Sequence, residues 1–250
     1  MSGLDDIVPG SLENISRLYS AVFDTVIPVS KPEIAEMTKL YENCQRMICI
    51  AYANEMADAC IAHGIDSFEV CAAAATKPFG YLPFTPGLGV GGHCIPINPY
   101  YLLSNNSFPL LQAATERMRE RPSIIAQRVL DSISVSKEGY YKTINQRPRV
   151  LVVGVGFKAG QATLSNSPGL ELIKSLSQSG RVDVSFADRL VEQSMLPQIA
   201  RLADGDWNRA CLEQYDTIVV AMRQDGMDIE LLREVRGVRI EMWCTYPIER

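Results

Sequence analysis

The spacing of apolar positions changes character partway along the chain. Between residues 11 and 23 it is helical, with Leu12, Ile15, Leu18, Tyr19, Val22 and Phe23 on one face and Ser11 placed as an N-cap. Residues 25–29 then read as a short strand. A lone helix and strand cannot bury their own faces. Ser30, Pro32 and Glu33 make a capping box with proline in the first turn, opening a helix to about residue 62 that Gly64 can stop. At 1.5 Å per residue this helix is about 45 Å long. Its apolar positions, Ile34, Met37, Tyr41, Cys44, Ile48, Ala51, Met56 and Cys60, fall on more than one face, so both faces should be covered. Asp66 or Ser67 caps a further helix to about Thr76, and two helical segments, 108–120 and 122–137, are expected to break near Pro122. From residue 149 the pattern becomes that of buried strands: 149–154, 182–186, 217–221 and 239–243, alternating with helices, notably 168–179. The fold class expected is α/β: an all-helical central unit with a long spine helix, followed by a doubly wound parallel sheet of Rossmann-like type. The polar run 136–148 is the expected linker, giving divisions at 1–29, 30–135 and 148–250.

One stretch fits neither period. Residues 84–99 hold four glycines, Gly87, Gly89, Gly91 and Gly92, with Cys94 and Pro96 directly after them. Such a run suits a loop whose backbone must approach something closely. Its amides can cradle an anion or oxyanion, and a thiol beside them is placed to attack an electrophilic carbon. A surface loop with an incidental cysteine accounts for the residues equally well. His93 adjoins Cys94, but neighbours in an extended loop point apart, which argues against a Cys–His dyad.

Composition narrows the classes. The chain has 250 residues, nearly half of them apolar, and a net charge of −5, which argues against a nucleic-acid surface. No apolar run reaches the length of a membrane span, and the N-terminus lacks the pattern of a signal peptide. The seven cysteines form no CxxC pair and their number is odd, so free thiols in a reducing cytoplasm are expected, with no metal site.

Three motifs carry a resemblance. Gly89-Val90-Gly91-Gly92-His93-Cys94-Ile95-Pro96 resembles the catalytic-cysteine motif of the UDP-glucose/GDP-mannose dehydrogenase family, closest to the branch acting on UDP-N-acetyl-hexosamines. Residues 35–43, ending in Lys39 and Asn43 four apart on one helical face, resemble its central helix. Residues 152–158, followed by Ser167-Pro168, resemble the start of its C-terminal domain. The resemblance implies an NAD-dependent 6-dehydrogenase that oxidises C6 of a UDP-sugar twice, through a thiohemiacetal and then a thioester on Cys94. It implies that Lys39 and Asn43 stabilise the oxyanion and hold water. It also implies substrate contacts from Gly89, Gly91, Gly92 and Lys158, and a homodimer formed through helix 30–62. From the residues themselves, Lys77 is a candidate for a pyrophosphate contact and Phe84 for the lining of a sugar or base pocket, with a solvated lysine and a packed aromatic as the ordinary readings. Residues 1–29 would then be a remnant of an NAD-binding domain whose preceding part is missing. A chain of this kind is expected to be inactive alone, and a non-catalytic UDP-sugar-binding or dimerisation module is the alternative.

Several positions depart from the family pattern. Asn98 stands where the family has an acid, and Ser165 where it has an arginine. Asn cannot carry charge or act as a base, and the lost arginine removes a fork suited to phosphate or carboxylate. Residues 154–159 also fit G-x-G-x-x-A, so a dinucleotide site has to be weighed. The next helix-start signal is Asn166-Ser167-Pro168, too far on for a dinucleotide loop. The reading that follows is a different nucleotide pocket, which the resemblance assigns to the UDP end of the substrate.

Overall fold

The computed structural model describes residues 1–144 and 146–244, with side chains described outside 135–145. The helical part comprises α1 (Ser11–Ser20), α2 (Pro32–Ala62), α3 (Ser67–Ala75), α4 (Asn98–Leu103) and α5 (Pro109–Ile144). The sheet part comprises β1 (Arg149–Val153), α6 (Pro168–Gln178), β2 (Asp183–Ala187), β3 (Ala200–Arg201), α7 (Arg209–Leu212), β4 (Thr217–Val220) and β5 (Arg239–Met242). All strand pairs are parallel, in the order β3-β2-β1-β4-β5, which is a doubly wound sheet. The expected fold class is observed. The strand β3 and the short helix α4 were not read from the sequence.

Local signals explain several boundaries. α2 ends in a Schellman motif: Gly64, at φ +65°, donates to Ile61 O, and Ile65 donates to Cys60 O. Asp66 caps α3 by accepting from the amides of Phe68 and Glu69. Other expectations fail. The capping box at Ser30 does not form, because α2 starts at Pro32 and its N-cap, Lys31, makes no side-chain cap bond. Ser11 lies inside the first turn of α1, accepting from the Leu4 amide and donating to Asp5. Residues 25–29 form no strand. Among the described residues their backbone bonds go to Met1, whose amino group donates to Ile27 O and whose carbonyl accepts from Val29, and no strand pairs with them.

The largest correction concerns Pro122. It sits inside one continuous helix, α5, rather than between two. Proline deprives the Met118 carbonyl of its helical partner. Packing outweighs that loss. Leu111, Ala114 and Met118 pack with Cys44, Met47 and Ala51 of α2, whereas Ile125, Ala126, Val129 and Leu130 pack with Val150 and Val152 of β1. Pro122 marks the change from one core to the other, and α5 joins both. The helix also continues into the polar run expected as a linker, of which residue 145 lies outside the described residues.

α2 is covered on one face only. Asn43, Cys44, Met47, Ala51, Asn54, Ala57 and Cys60 are buried, while Tyr41, Tyr52 and Ile61 are exposed by 73%, 63% and 59%. The expectation of apolar residues on more than one face holds, and the second face is open in the single chain.

Candidate active-site loop at a sheet crevice

In a sheet of this order the chain leaves β1 towards one edge and β4 towards the other. The carboxyl ends of β1 and β4 therefore flank the topological switch point, where such sheets open a crevice. The glycine loop lies across it. A crevice of 290 Å³ is lined by Gly87, Gly89 and Gly91 from the loop and by Gly154, Gly156 and Met222 from the sheet.

Both polar groups of Gly87 are held by buried side chains. Its N–H donates to Asn54 Oδ1 at 2.9 Å, and its carbonyl accepts from Arg121 Nε at 3.0 Å. Asn54 also donates to Ile50 O. The remaining Arg121 nitrogens form a bidentate pair with Asp58 at 2.9 and 3.1 Å, and its guanidinium lies 5.2 Å from the Trp243 ring. Arg128 adds a third donor to Asp58. Burial by itself would raise the Asp58 carboxyl, but the hydrogen bonds and charges of Arg128 and Arg121 outweigh it and hold it below the ordinary carboxylate value.

Close approach explains the later glycines. A Cβ on Gly91 would lie 2.9 Å from both Asn166 O and Pro168 Cδ. Gly92 has φ +95°, its carbonyl accepts from Asn166 Nδ2, and a Cβ there would lie 3.0 Å from the Phe157 ring. The loop is thus pressed onto the segment that precedes α6.

Cys94 follows directly and is exposed. Its carbonyl accepts from the amides of Ile97 and Asn98, a turn that runs into α4. The buried Asn43 donates from its amide to Asn98 Oδ1, so Asn43 is tied to the turn following the thiol, with Asn98 occupying the acid's place as an acceptor. Lys39, one turn earlier, is exposed and pairs with Glu42 at 3.0 Å. Hydrogen bonding by Lys39, then its charge, holds the Glu42 carboxyl below its ordinary value. A second cleft, of 530 Å³, opens beside the Cys94 turn. Met47, Pro96, Ile97, Ser165, Asn166 and Lys174 contribute to its lining.

The other expected substrate residues are dispersed. Lys158 is exposed on the loop after β1. Phe84 lines an apolar groove of 720 Å³ along α2 and α3, together with Tyr52, Met56, Val70 and Tyr81. Lys77 is exposed and lies over the Phe79 ring. His93 presents its ring edge-on to Phe157. Sequence reasoning missed Arg121, Asp58 and Trp243, and gave Asn54 no chemistry. The available signals were the Asn54-Glu55 pair and an arginine amid the apolar positions of a helix.

The G-x-G-x-x-A motif is already filled. The Val155 and Gly156 amides donate to Asp188 Oδ2 at 2.9 and 3.2 Å, and those of Leu190 and Val191 donate to Oδ1. Asp188 is buried to 2% exposure, and Gln224 Nε2 donates to both its oxygens.

Exposure ranks the thiols. Burial pushes the Cys44 and Cys71 thiols up, and that of Cys244 up to about 11, while Cys60 is buried. Cys94 is expected to react first with iodoacetamide near neutral pH, at least about tenfold faster than Cys44 or Cys244, since attack needs an accessible thiolate. Mass-mapped labelling of the folded chain checks this, and labelling of Cys44 ahead of Cys94 would contradict it.

The structure thus presents a doubly wound parallel sheet crossed at its switch point by a glycine loop that ends in an exposed thiol. The comparisons specify it further. Residues 33–117 match the central-domain model of the UDP-glucose/GDP-mannose dehydrogenase family, so the chain carries the central domain of that family. A UDP-N-acetyl-D-mannosamine dehydrogenase of Pyrococcus horikoshii is 32% identical over 165 residues, 65% of this chain and 38% of that one. A UDP-N-acetyl-D-glucosamine 6-dehydrogenase of Pseudomonas aeruginosa is 30% identical over 212 residues, 79% of this chain and 49% of that one. The solved UDP-D-ManNAc dehydrogenase of Pyrococcus horikoshii superposes with a TM-score of 0.75 at 24% identity, over 93% of this chain and 57% of that one, which shows the fold. The chain thus spans less than half the length of these curated relatives. Among the described residues no helix is long and apolar enough to cross a membrane, and no His/Cys/Asp/Glu group is arranged to hold a metal.

Proposed function

We propose that this chain supplies the thiol and substrate-positioning part of an NAD-dependent nucleotide-sugar 6-dehydrogenase acting on a UDP-N-acetyl-hexosamine or a related UDP-sugar. The observation that carries the reading is Cys94, exposed at the end of a glycine loop that is clamped across the switch-point crevice. In this reading the Cys94 Sγ attacks the C6 carbonyl carbon of the sugar aldehyde. A C–S bond forms as the thiol gives up its proton, the carbonyl π pair moves to oxygen, and that oxygen takes up one proton in return, giving a thiohemiacetal. An asparagine amide has two N–H donors, and one donor of Asn43 is committed to Asn98, so the other serves the developing oxyanion. Lys39 joins it by leaving Glu42, at little cost because the pair is exposed and screened by solvent. Gly89, Gly91 and Gly92 bring backbone to the sugar, and Lys158 meets the nucleotide end. Phe84 and Lys77 would act from the α2–α3 side.

The described residues do not fit a nicotinamide dinucleotide. The amides of the glycine motif are occupied by Asp188, and α6 opens only at Pro168. No step is therefore assigned to that group here. The chain alone is expected to give no NADH absorbance with UDP-sugars and NAD⁺. Iodoacetamide protection tests the site itself. A UDP-sugar C6-aldehyde should slow labelling of Cys94 severalfold and leave Cys211 unchanged. Equal labelling with and without it overturns the reading.

A non-catalytic binding or dimerisation module is the second reading, favoured by the dinucleotide misfit and by the engagement of Lys39 with Glu42. Both readings include a homodimer. The apolar groove exposes Tyr52 by 63% and Leu82 by 66%, a face that a second copy of the chain would cover. Light scattering should give twice the chain mass, and Tyr52→Asp should give a folded monomer. A monomeric wild-type chain would sink the dimer.

A further inference from the structure

We propose that Asp188 is a resident anion, holding the position that a phosphate takes in a dinucleotide-binding loop, and that it closes the sheet unit to dinucleotides. The inference does not rest on the proposed dehydrogenase role. The sequence of the loop after β1 invites the opposite conclusion, since Gly154, Gly156 and Ala159 satisfy the spacing of a dinucleotide fingerprint. The physical content of that fingerprint is a set of unpaired backbone amides together with a helix N-terminus aimed at the pyrophosphate.

Neither element is open. The Val155 and Gly156 amides donate to one oxygen of Asp188, and the Leu190 and Val191 amides to the other. Gln224 completes the enclosure, donating to both carboxylate oxygens while its own Oε1 accepts from the Gly160 amide. The amides of Gly156, in the motif, and of Gly160, directly after it, are thereby fixed by two neighbouring side chains that are themselves buried, at 2% and 1% exposure. The helix N-terminus is likewise used. Ser167 caps α6 by accepting from the Leu170 amide, and its hydroxyl donates to Val155 O, which ties the start of the helix to the loop.

A phosphate entering here would have to displace a carboxylate from backbone amides. Failing that, it would sit beside a buried negative charge, where the effective dielectric is low and like charges repel strongly. Among the described residues Asp188 forms no ion pair with a lysine or arginine side chain; the Arg201 guanidinium donates to its backbone carbonyl instead. The amides thus carry the compensation of the charge, and that is the capacity a phosphate would need. The fingerprint is retained here as a fold device that seats Asp188. A ligand in the 290 Å³ crevice meets the loop through uncharged groups, with its phosphates elsewhere.

Amide chemical shifts of the full ¹⁵N-labelled chain provide the test, with NAD⁺ and inorganic pyrophosphate as probes. The Val155 and Gly156 resonances of the wild-type chain should stay in place up to millimolar concentrations of either probe. In Asp188→Gly the freed amides should respond to pyrophosphate, and pyrophosphate should raise the thermal midpoint of the variant without raising that of the wild type. If Asp188→Gly does not fold, Asp188→Ala, which also removes both carboxylate oxygens from the amides, takes its place with the same expectation. Saturable shifts of Val155 and Gly156 in the wild-type chain on adding NAD⁺ or pyrophosphate would overturn the proposal. So would a folded variant whose amides ignore pyrophosphate. Binding of a UDP-sugar with those two amides unmoved leaves it standing, so its failure is distinct from that of the dehydrogenase reading.

Discussion

Arg121→Met is expected to destabilise the chain by about 3 kcal/mol, the low end for breaking a buried ion pair, since Arg128 remains to offset part of the charge on Asp58. Arg121 is exposed by only 2% and meets three groups at once: Asp58, the Gly87 carbonyl and the face of Trp243. Methionine keeps the packing of the side-chain stem and removes every donor. Arg128→Met should cost about 1 kcal/mol or less, because 39% of that side chain is in solvent. Urea unfolding followed by circular dichroism separates the two, and equal losses would refute the clamp. The pH dependence follows from the same carboxylate. Asp58 is held below its ordinary value of 3.8 in the folded chain, so its contribution is complete well above that pH. It fades as the pH falls through the lower, folded value. Arg121→Met should therefore flatten the loss of stability on the acid side of pH 4, and an unchanged acid limb would remove Asp58 from the account.

Gly154→Ala is expected to cost about 2–5 kcal/mol and to reduce soluble expression sharply. Two terms add. The residue has φ +75°, a left-handed conformation that costs an L-residue about 1–2 kcal/mol. Its Cβ would then lie 1.9 Å from the Met222 carbonyl oxygen, so the backbone leaving β4 has to move, and over-packing of this kind adds about 1–3 kcal/mol. Gly180→Ala is the control. It shares a positive φ of +63°, and no atom lies within 4 Å of the added Cβ, so the first term acts alone. A Gly154→Ala protein as stable as Gly180→Ala would show that the contact between the β1 loop and Met222 is not tight.

Much of the architecture was legible along the chain because its causes are local. The four main strands follow from runs of apolar residues bounded by turn residues. The α2 stop follows from Gly64 and the α3 start from Asp66, each acting over a few residues. The glycine run around Gly91 marked a place of close backbone approach, and the thiol directly after it, Cys94, is exposed. The distance between G-x-G-x-x-A and the Pro168 helix start was also legible, and α6 does open at Pro168.

What remained hidden depends on partners far away in sequence. Proline has a fixed local cost, and whether a helix continues past Pro122 depends on how much packing lies on either side of it. Here that packing comes from α2 and from β1, which no window around the proline contains. The clamp on Gly87 pairs Arg121 with Asp58, 63 residues apart, and a buried charge has no signature in periodicity until its counter-ion is located. The amides of the glycine motif are filled from 33 residues further on by Asp188. The sequence alone therefore determined the main strands, the spine helix and where the backbone must pass closely, since steric and capping rules act between neighbours. Only the tertiary structure decided which buried charges are compensated and which amides remain open, since those depend on what folding brings within about 3 Å.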